Sequence, residues 1–460
     1  MIQPYLMNLP YQPHAVLDIF TPLSTQPWSM LLHSSDSNHS DSCFDIIVAK
    51  PVVTLVTKNG ITEICRGTDC KFSDIDPFIL VKQQLEQMNI ITKTNKQLPF
   101  QGGALGLFGY DLARYIENLP NLAERDLHLP DMAVGLYDWA IIADHHRRKL
   151  TLVSHKDPQT ILANLVDTAP QPTAMFRLHT QWESNMTRAD YGKKFRQIQQ
   201  HLQAGDCYQV CLSQRFSATC SGDEWSAFRY LVTYNRAPFS AFIRLPEQAT
   251  VLSLSPELFL RLRGNVIESR PIKGTLPRIM NSSSPTCSRD KLERIRLATS
   301  AKDCAENLMI VDLLRNDIGR VALPGSVRVP SLFAIETFPA VYHMVSTITA
   351  KLSPHHSACD LLRACFPGGS IIGAPKVRAM KIIEQLEPHC RNAWCGSIGY
   401  FSYCGTMDMN IAIRTLIIDQ NQIYCSVGGG IVADSNEEAE YKETLAKAAT
   451  LLPLLERFNR

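Results

Sequence analysis

The feature that most constrains the fold is a succession of strand-like runs without the regular strand–helix alternation of a doubly wound parallel sheet. Residues 208–213, 239–245 and 250–254 read as strands, the first with alternating faces. Such a pattern favours an antiparallel α+β body, in which each sheet buries one face and helices cover the rest. Upstream, residues 28–33 and 44–49 are strand-like around a Ser/Asp/Asn loop at 34–42. Residues 140–144 and 150–153 make a strand pair around the basic turn 145–149. The glycine-rich segment 102–110 lacks the order of a dinucleotide fingerprint and reads as close backbone packing. A polar stretch at 155–186 carries Pro158, Pro170 and Pro172 and one short helix at 160–166. It sets the expected division into an N-terminal region, 1–180, and a second body, 181–460. Thr187 opens a helix with Tyr191, Phe195, Ile198 and Leu202 on one face, ended by Gly205. There is no internal repeat, and the short low-complexity patches are 34–42 and 281–288.

Composition narrows the function classes. With 460 residues and a net charge of +2, the chain can bury a large core, and it lacks the basic excess of a nucleic-acid-binding surface. No apolar run approaches the ~18 residues of a membrane span. The opening Met1, Ile2, Gln3, Pro4, Tyr5 has neither a basic region nor an apolar core, so no secretory leader is expected. The 14 cysteines show no Cys-x-x-Cys and no zinc spacing, and are expected to be reduced, mostly buried thiols of a cytoplasmic protein.

The chemistry-bearing stretches lie in the second body. Arg270 to Arg278 reads Arg-Pro-Ile-Lys-Gly-Thr-Leu-Pro-Arg. Pro271 and Pro277 fix φ, and Gly274 permits a conformation or approach that a Cβ would obstruct. Lys273 between them is either the tip of a solvated loop or an amine aimed at a ligand. Ser300 caps a helix running to about Leu314, on which Asp303, Glu306 and Ile310 share a face and Glu306 lies four residues from Lys302. Ser435 and Glu438 read as a capping box for the last long helix, which carries Glu440, Glu443 and Lys447. These carboxylates are either a solvated acidic first turn or, with Glu306, ligands for a hard cation such as Mg2+. Gly428, Gly429 and Gly430 end a strand at 423–427 and are either a tight turn or a nest of N–H groups for an anion. Arg414 lies in a strand-like run, 411–416, facing solvent or gripping an anion bidentately. Gly369 and Ser370 precede a helix after Pro375 and Lys376, whose N-terminus suits an anion. Together they describe a pocket for a small polyanion with Mg2+.

In this order, these stretches resemble the chorismate-utilising enzymes: anthranilate synthase, isochorismate synthase and aminodeoxychorismate synthase. The resemblance is dense from Thr187 to the C-terminus and implies a large antiparallel β-sheet sandwich surrounded by helices. Pro-Ile-Lys-Gly-Thr resembles the aminodeoxychorismate synthase branch, whose relatives typically carry alanine at the position of Lys273. Gln209 supports the same branch, since isochorismate synthases tend to place a lysine base there. The resemblance implies that Glu306 and Glu443, with Glu440 beside them, bind Mg2+. It implies that Gln209, Gly274, Thr275, His343, Ser370, Tyr400, Arg414, Gly428, Gly429, Gly430 and Lys447 contact chorismate. Glu257 would act near the departing C4 hydroxyl and Lys273 as nucleophile at C2, with ammonia entering at C4. Ile372 stands where the family often has a hydroxyl residue. Ser34, Pro238 and Phe239 match a tryptophan pocket. No cysteine sits in a nucleophile-elbow setting with a following His-x-Glu, so a separate glutamine amidotransferase subunit is expected as partner. The alternatives are an anthranilate synthase, against which Lys273 stands, and a non-catalytic tryptophan-binding partner of the amidotransferase, against which Lys273, Glu257, Glu306 and Glu443 together stand.

Overall fold

Burial alternates along the strand Gln422–Ile431: Ile423, Cys425, Val427, Gly429 and Ile431 are buried, with more exposed residues between them. This period-two pattern is what one face of a sheet packed on a core requires. The strand pairs with Gln209–Ser221, in register from Val210 opposite Ile431 to Thr219 opposite Gln422, and on its other side with Thr415–Asp419. The computed structural model describes residues 3–34, 39, 41–90, 92, 97–166, 174–278, 288–337 and 341–458. Among them two antiparallel sheets face each other. The first runs in the order Tyr5–Leu9, Lys149–Ser154, Trp139–Asp144, Phe44–Val48, Met30–His33, Phe239–Arg244, Thr250–Ser255, Thr415–Asp419, Gln422–Ile431 and Gln209–Ser221. The second runs from Ile272–Pro277 through Val341–Lys351, Val266–Arg270, Leu258–Arg263, Met407–Asn410, Ser397–Ser402, Gly103–Phe108, Met132–Tyr137, Val53–Lys58 and Ile61–Arg66 to Asp69–Ser73.

The two inner faces interlock. Met30, Ile46, Ile142 and Ile243 of the first sheet share a core with Leu105, Leu107, Tyr137 and Ile398 of the second. Helices cover both outer faces. Trp225, Phe228 and Leu231 of Glu224–Tyr234 pack with Leu252, Leu416 and Ile423. On the other side Ile310, Val311 and Leu314 of Ala301–Gly319 join Phe108, Leu260 and Leu262. Each such side chain contributes roughly 1.5–3 kcal/mol of burial, so the layered α+β sandwich expected from the sequence is held from inside and outside. At Gly106 an added Cβ would stand 2.1 Å from the Ala133 carbonyl oxygen, the close backbone packing read from segment 102–110.

Both sheets draw strands from either side of residue 180. Met30–His33 pairs with Phe239–Arg244, and Gly103–Phe108 pairs with Ser397–Ser402, so the regions 1–180 and 181–460 share each sheet. Two local expectations change. Cys65 and Cys70 were expected as thiols. Their hairpin, Ile61–Arg66 with Asp69–Ser73, sets them opposite one another, and they form a disulfide. The other described cysteines are free and mostly buried. The last long helix, Glu437–Ala448, is capped by Asn436, whose side chain accepts from the N–H groups of Glu438 and Ala439. Ser435 is thereby released for another partner. The polar patch at 281–287, and most of that at 34–42, lies outside the described residues.

Candidate active site

The Lys273 segment is a strand, Ile272–Pro277, paired with Val341–Lys351. Ile272 is opposite Val345 and Thr275 opposite His343, and the register shifts between these pairs. Lys273 and Gly274 occupy that irregularity, a device that re-aims a side chain. Gly274 has φ +78°, and a Cβ there would stand 2.9 Å from Leu297 Cδ1 and 3.0 Å from Asp303 Oδ1. Glycine is thus required both by conformation and by space. Lys273 is half-buried, and among the described residues its ammonium group makes no hydrogen bond or ion pair. It lies close enough to Glu257, Glu306 and Glu443 to favour their charged forms.

Glu257 sits where the chain leaves the first sheet at Ser255 and enters the second at Leu258, and it is 4% exposed. Burial pushes its carboxyl up to about 7, against hydrogen bonds from the Ser370 hydroxyl and the Ile272 amide and the attraction of Lys273. The result is a carboxylic acid able to hold or release a proton near neutral pH, within range of an amine that has no hydrogen-bond partner among the described residues.

Two helices bring the remaining carboxylates. Ser300 caps Ala301–Gly319, which carries Glu306, and Glu437–Ala448 carries Glu440 and Glu443. Gln209 Nε2 donates to Glu306 Oε2 at 3.3 Å. Ser435 Oγ donates to Glu440 Oε1 at 2.6 Å. Lys302 Nζ stands 3.3 Å from Glu440 Oε1 and 3.9 Å from Glu306 Oε1. Burial raises the Glu306 carboxyl, aided by the charge of Glu440 and opposed by Lys273 and Lys302. Glu443 is half-exposed; its own desolvation is outweighed by Lys447, whose Nζ is 2.8 Å away, and its carboxyl is held below the usual range. Among the described residues these three side chains do not offer oxygens all within 4.8 Å of one another. They do converge beside Gly429, where a Cβ would stand 3.3 Å from Glu440 Oε2 and 3.8 Å from Glu443 Oε1.

Gly428, Gly429 and Gly430 are not a terminal nest. All lie inside Gln422–Ile431, paired with Ser213, Leu212 and Cys211. Their absent side chains make room: at Gly430 a Cβ would stand 2.2 Å from Gln209 Nε2. Lys447 Nζ donates to the Gly428 carbonyl at 2.8 Å. Nor is Arg414 within a strand: it precedes Thr415–Asp419 in a bend with φ 51°. Among the described residues its guanidinium has no hydrogen-bond or ion-pair partner, and burial lowers its pKa. His343 is buried, its Nδ1 2.7 Å from the Thr275 hydroxyl. Burial, and next the Arg414 charge, push the His343 pKa down to about 3, so the ring is neutral at physiological pH.

Tyr400 falls elsewhere. Its hydroxyl donates to Asp408 Oδ2 at 2.6 Å, and it lines a cavity of about 260 Å³ with His33, Asp41, Pro238, Phe239 and Arg261. Pro238 and Phe239 are therefore together, but Ser34 does not line this space: its N–H and hydroxyl both donate to Asp45 Oδ1, at 2.7 and 2.9 Å. Sequence reading missed the charges here. Arg261 and Arg263 alternate along Leu258–Arg263 and both reach Asp408. Two arginines at strand spacing in an apolar run were the available signal.

The model of the chorismate binding enzyme family matches residues 31–453. The chain belongs to that family. It is 59% identical over 456 residues, covering 99% of this chain and 100% of the relative, to aminodeoxychorismate synthase component 1 of Klebsiella aerogenes. It is 56% identical over 456 residues, 99% of each chain, to the protein of that name in Escherichia coli strain K12. The crystal structure of anthranilate synthase component I from Streptococcus pneumoniae TIGR4 superposes with a TM-score of 0.78 at 29% identity, covering 89% of this chain and 92% of that one. The interleaved sheets that carry Glu257 and Lys273 are thus the family's architecture.

Proposed function

We propose that this chain is an aminodeoxychorismate synthase large subunit, which converts chorismate and ammonia to 4-amino-4-deoxychorismate on the route to 4-aminobenzoate and folate. The observation that carries the reading is the nearness of Lys273, whose amine has no hydrogen-bond partner among the described residues, to Glu257, a buried carboxyl whose pKa is pushed up to about 7. In the first step the deprotonated Lys273 amine adds to C2 of the ring. The ring double bonds shift, the C4–O bond breaks, and the hydroxyl leaves as water with the Glu257 proton. Ammonia then adds at C4, the double bonds shift back, and the Lys273 amine departs from C2. Arg414, which has no ion-pair partner among the described residues, suits a substrate carboxylate. Glu306, Glu440 and Glu443 would hold Mg2+, which when bound supplies charge neutralisation for the ring carboxylate. A hard cation that takes a few protein carboxylates and completes its shell with water and substrate oxygens needs no closed protein cage. Ammonia would come from a glutamine amidotransferase partner, consistent with relatives named component 1. In this reading the cavity with Pro238 and Phe239 is the tryptophan pocket.

The test is Lys273→Ala with chorismate, Mg2+ and ammonium salt. Chorismate binding is expected to survive and aminodeoxychorismate formation to stop. Intact-protein mass after quenching the parent should reveal the adduct. Product formation by the variant at near the parent rate would refute the nucleophilic role.

A further inference from the structure

Lys302 is the cation that already lies against Glu306 and Glu440. Its Nζ is 3.3 Å from Glu440 Oε1 and 3.9 Å from Glu306 Oε1. The helix does not account for this placement. Lys302 lies in the first turn of Ala301–Gly319, the end where the helix dipole disfavours a positive charge. It also precedes Glu306 by four residues, the weaker order for an i,i+4 pair. The freedom of the partners is unequal. The Lys302 side chain is 51% exposed, whereas Glu306 is 15% and Glu440 4% exposed. The lysine can swing into solvent; the carboxylates cannot.

We infer that Lys302 is a resident counter-cation of the carboxylate cluster, displaced when a divalent ion binds, so that cation affinity is set by competition with the ammonium group. The inference rests on the Mg2+ reading above. With the lysine in place, one positive charge already offsets part of the negative charge of Glu306 and Glu440 without metal. With metal in place, Lys302 must give up both contacts or stand beside a second cation.

The experiment is a Mn2+ titration followed by the EPR signal of the free ion, without ammonia and with and without chorismate. Lys302→Gln should bind Mn2+ roughly fivefold more tightly, as two ion pairs made by a half-exposed lysine no longer compete. Lys302→Arg, which keeps the charge, should stay near the parent, and Lys302→Met gives the same reading as glutamine should that variant misfold. Unchanged or weaker binding by Lys302→Gln, with binding lost in Glu440→Gln, would overturn the competition and leave the metal reading standing. Mn2+ binding indifferent to Glu440→Gln would remove the metal reading itself, and this inference with it.

Discussion

Glu257→Gln isolates the buried acid. The carboxyl is 4% exposed, and its pKa rises from 4.5 to about 7 chiefly through desolvation. At about 1.4 kcal/mol for each tenfold change in proton affinity, that difference is worth about 3 kcal/mol. The folded pKa is raised above the unfolded one, so the neutral carboxyl's contribution is fully present below pH 4.5 and is lost as pH rises through about 7. Glutamine has the same shape and no proton to lose. Urea unfolding of parent and variant between about pH 4.5 and 8 should therefore show the parent losing about 3 kcal/mol relative to Glu257→Gln. The same proton serves the chemistry. At constant free ammonia, the parent rate should fall above about pH 7, and the variant should lose roughly 100-fold to 10,000-fold in turnover while still binding chorismate. Stability profiles that run parallel, within about 0.5 kcal/mol across the range, would refute a buried, perturbed carboxyl at this position.

Three further outcomes follow from the geometry. Gly429→Ala leaves the backbone unstrained but sets a methyl 3.3 Å from Glu440 Oε2, so the Mg2+ concentration for half-maximal rate should rise several-fold; an unchanged requirement would place the cation elsewhere. Arg414→Lys loses the planar fork and should raise the KM for chorismate roughly tenfold to a hundredfold, from the 1.5–3 kcal/mol of a hydrogen bond to a charged group. Asp45 is fully buried, with Oδ2 3.0 Å from His33 Nδ1 and 2.8 Å from His145 Nε2; Asp45→Asn should cost about 3–5 kcal/mol in denaturant unfolding, and a neutral result would show that this cluster does not brace the cavity wall.

Much of the local structure was legible because short-range rules decide it. Thr187 and Ser300 accept from the third helical N–H as their cap signatures predict, and the hairpin 140–153 follows its turn. The site residues were legible as residue types on identifiable elements, but their meeting was not. Glu257 comes within range of the Lys273 charge where the chain passes from Thr250–Ser255 of one sheet to Leu258–Arg263 of the other, a fact of long-range pairing. The glycine run was misread because three glycines signal a turn, whereas here they leave room for Gln209, Glu440 and Glu443. Arg414 read as strand because a left-handed non-glycine residue has no signature in sequence. Asn436 displaced Ser435 as cap because both are good cap residues and adjacent, and only the helix start distinguishes them.

The most direct test of the account is product identity. The isolated chain, given chorismate, Mg2+ and ammonium salt at alkaline pH, should form aminodeoxychorismate, identified by mass, without release of pyruvate. Glutamine alone should support no turnover until an amidotransferase subunit is added. Anthranilate and pyruvate as the products would contradict the assignment of Lys273 and move the chain to the anthranilate synthase branch.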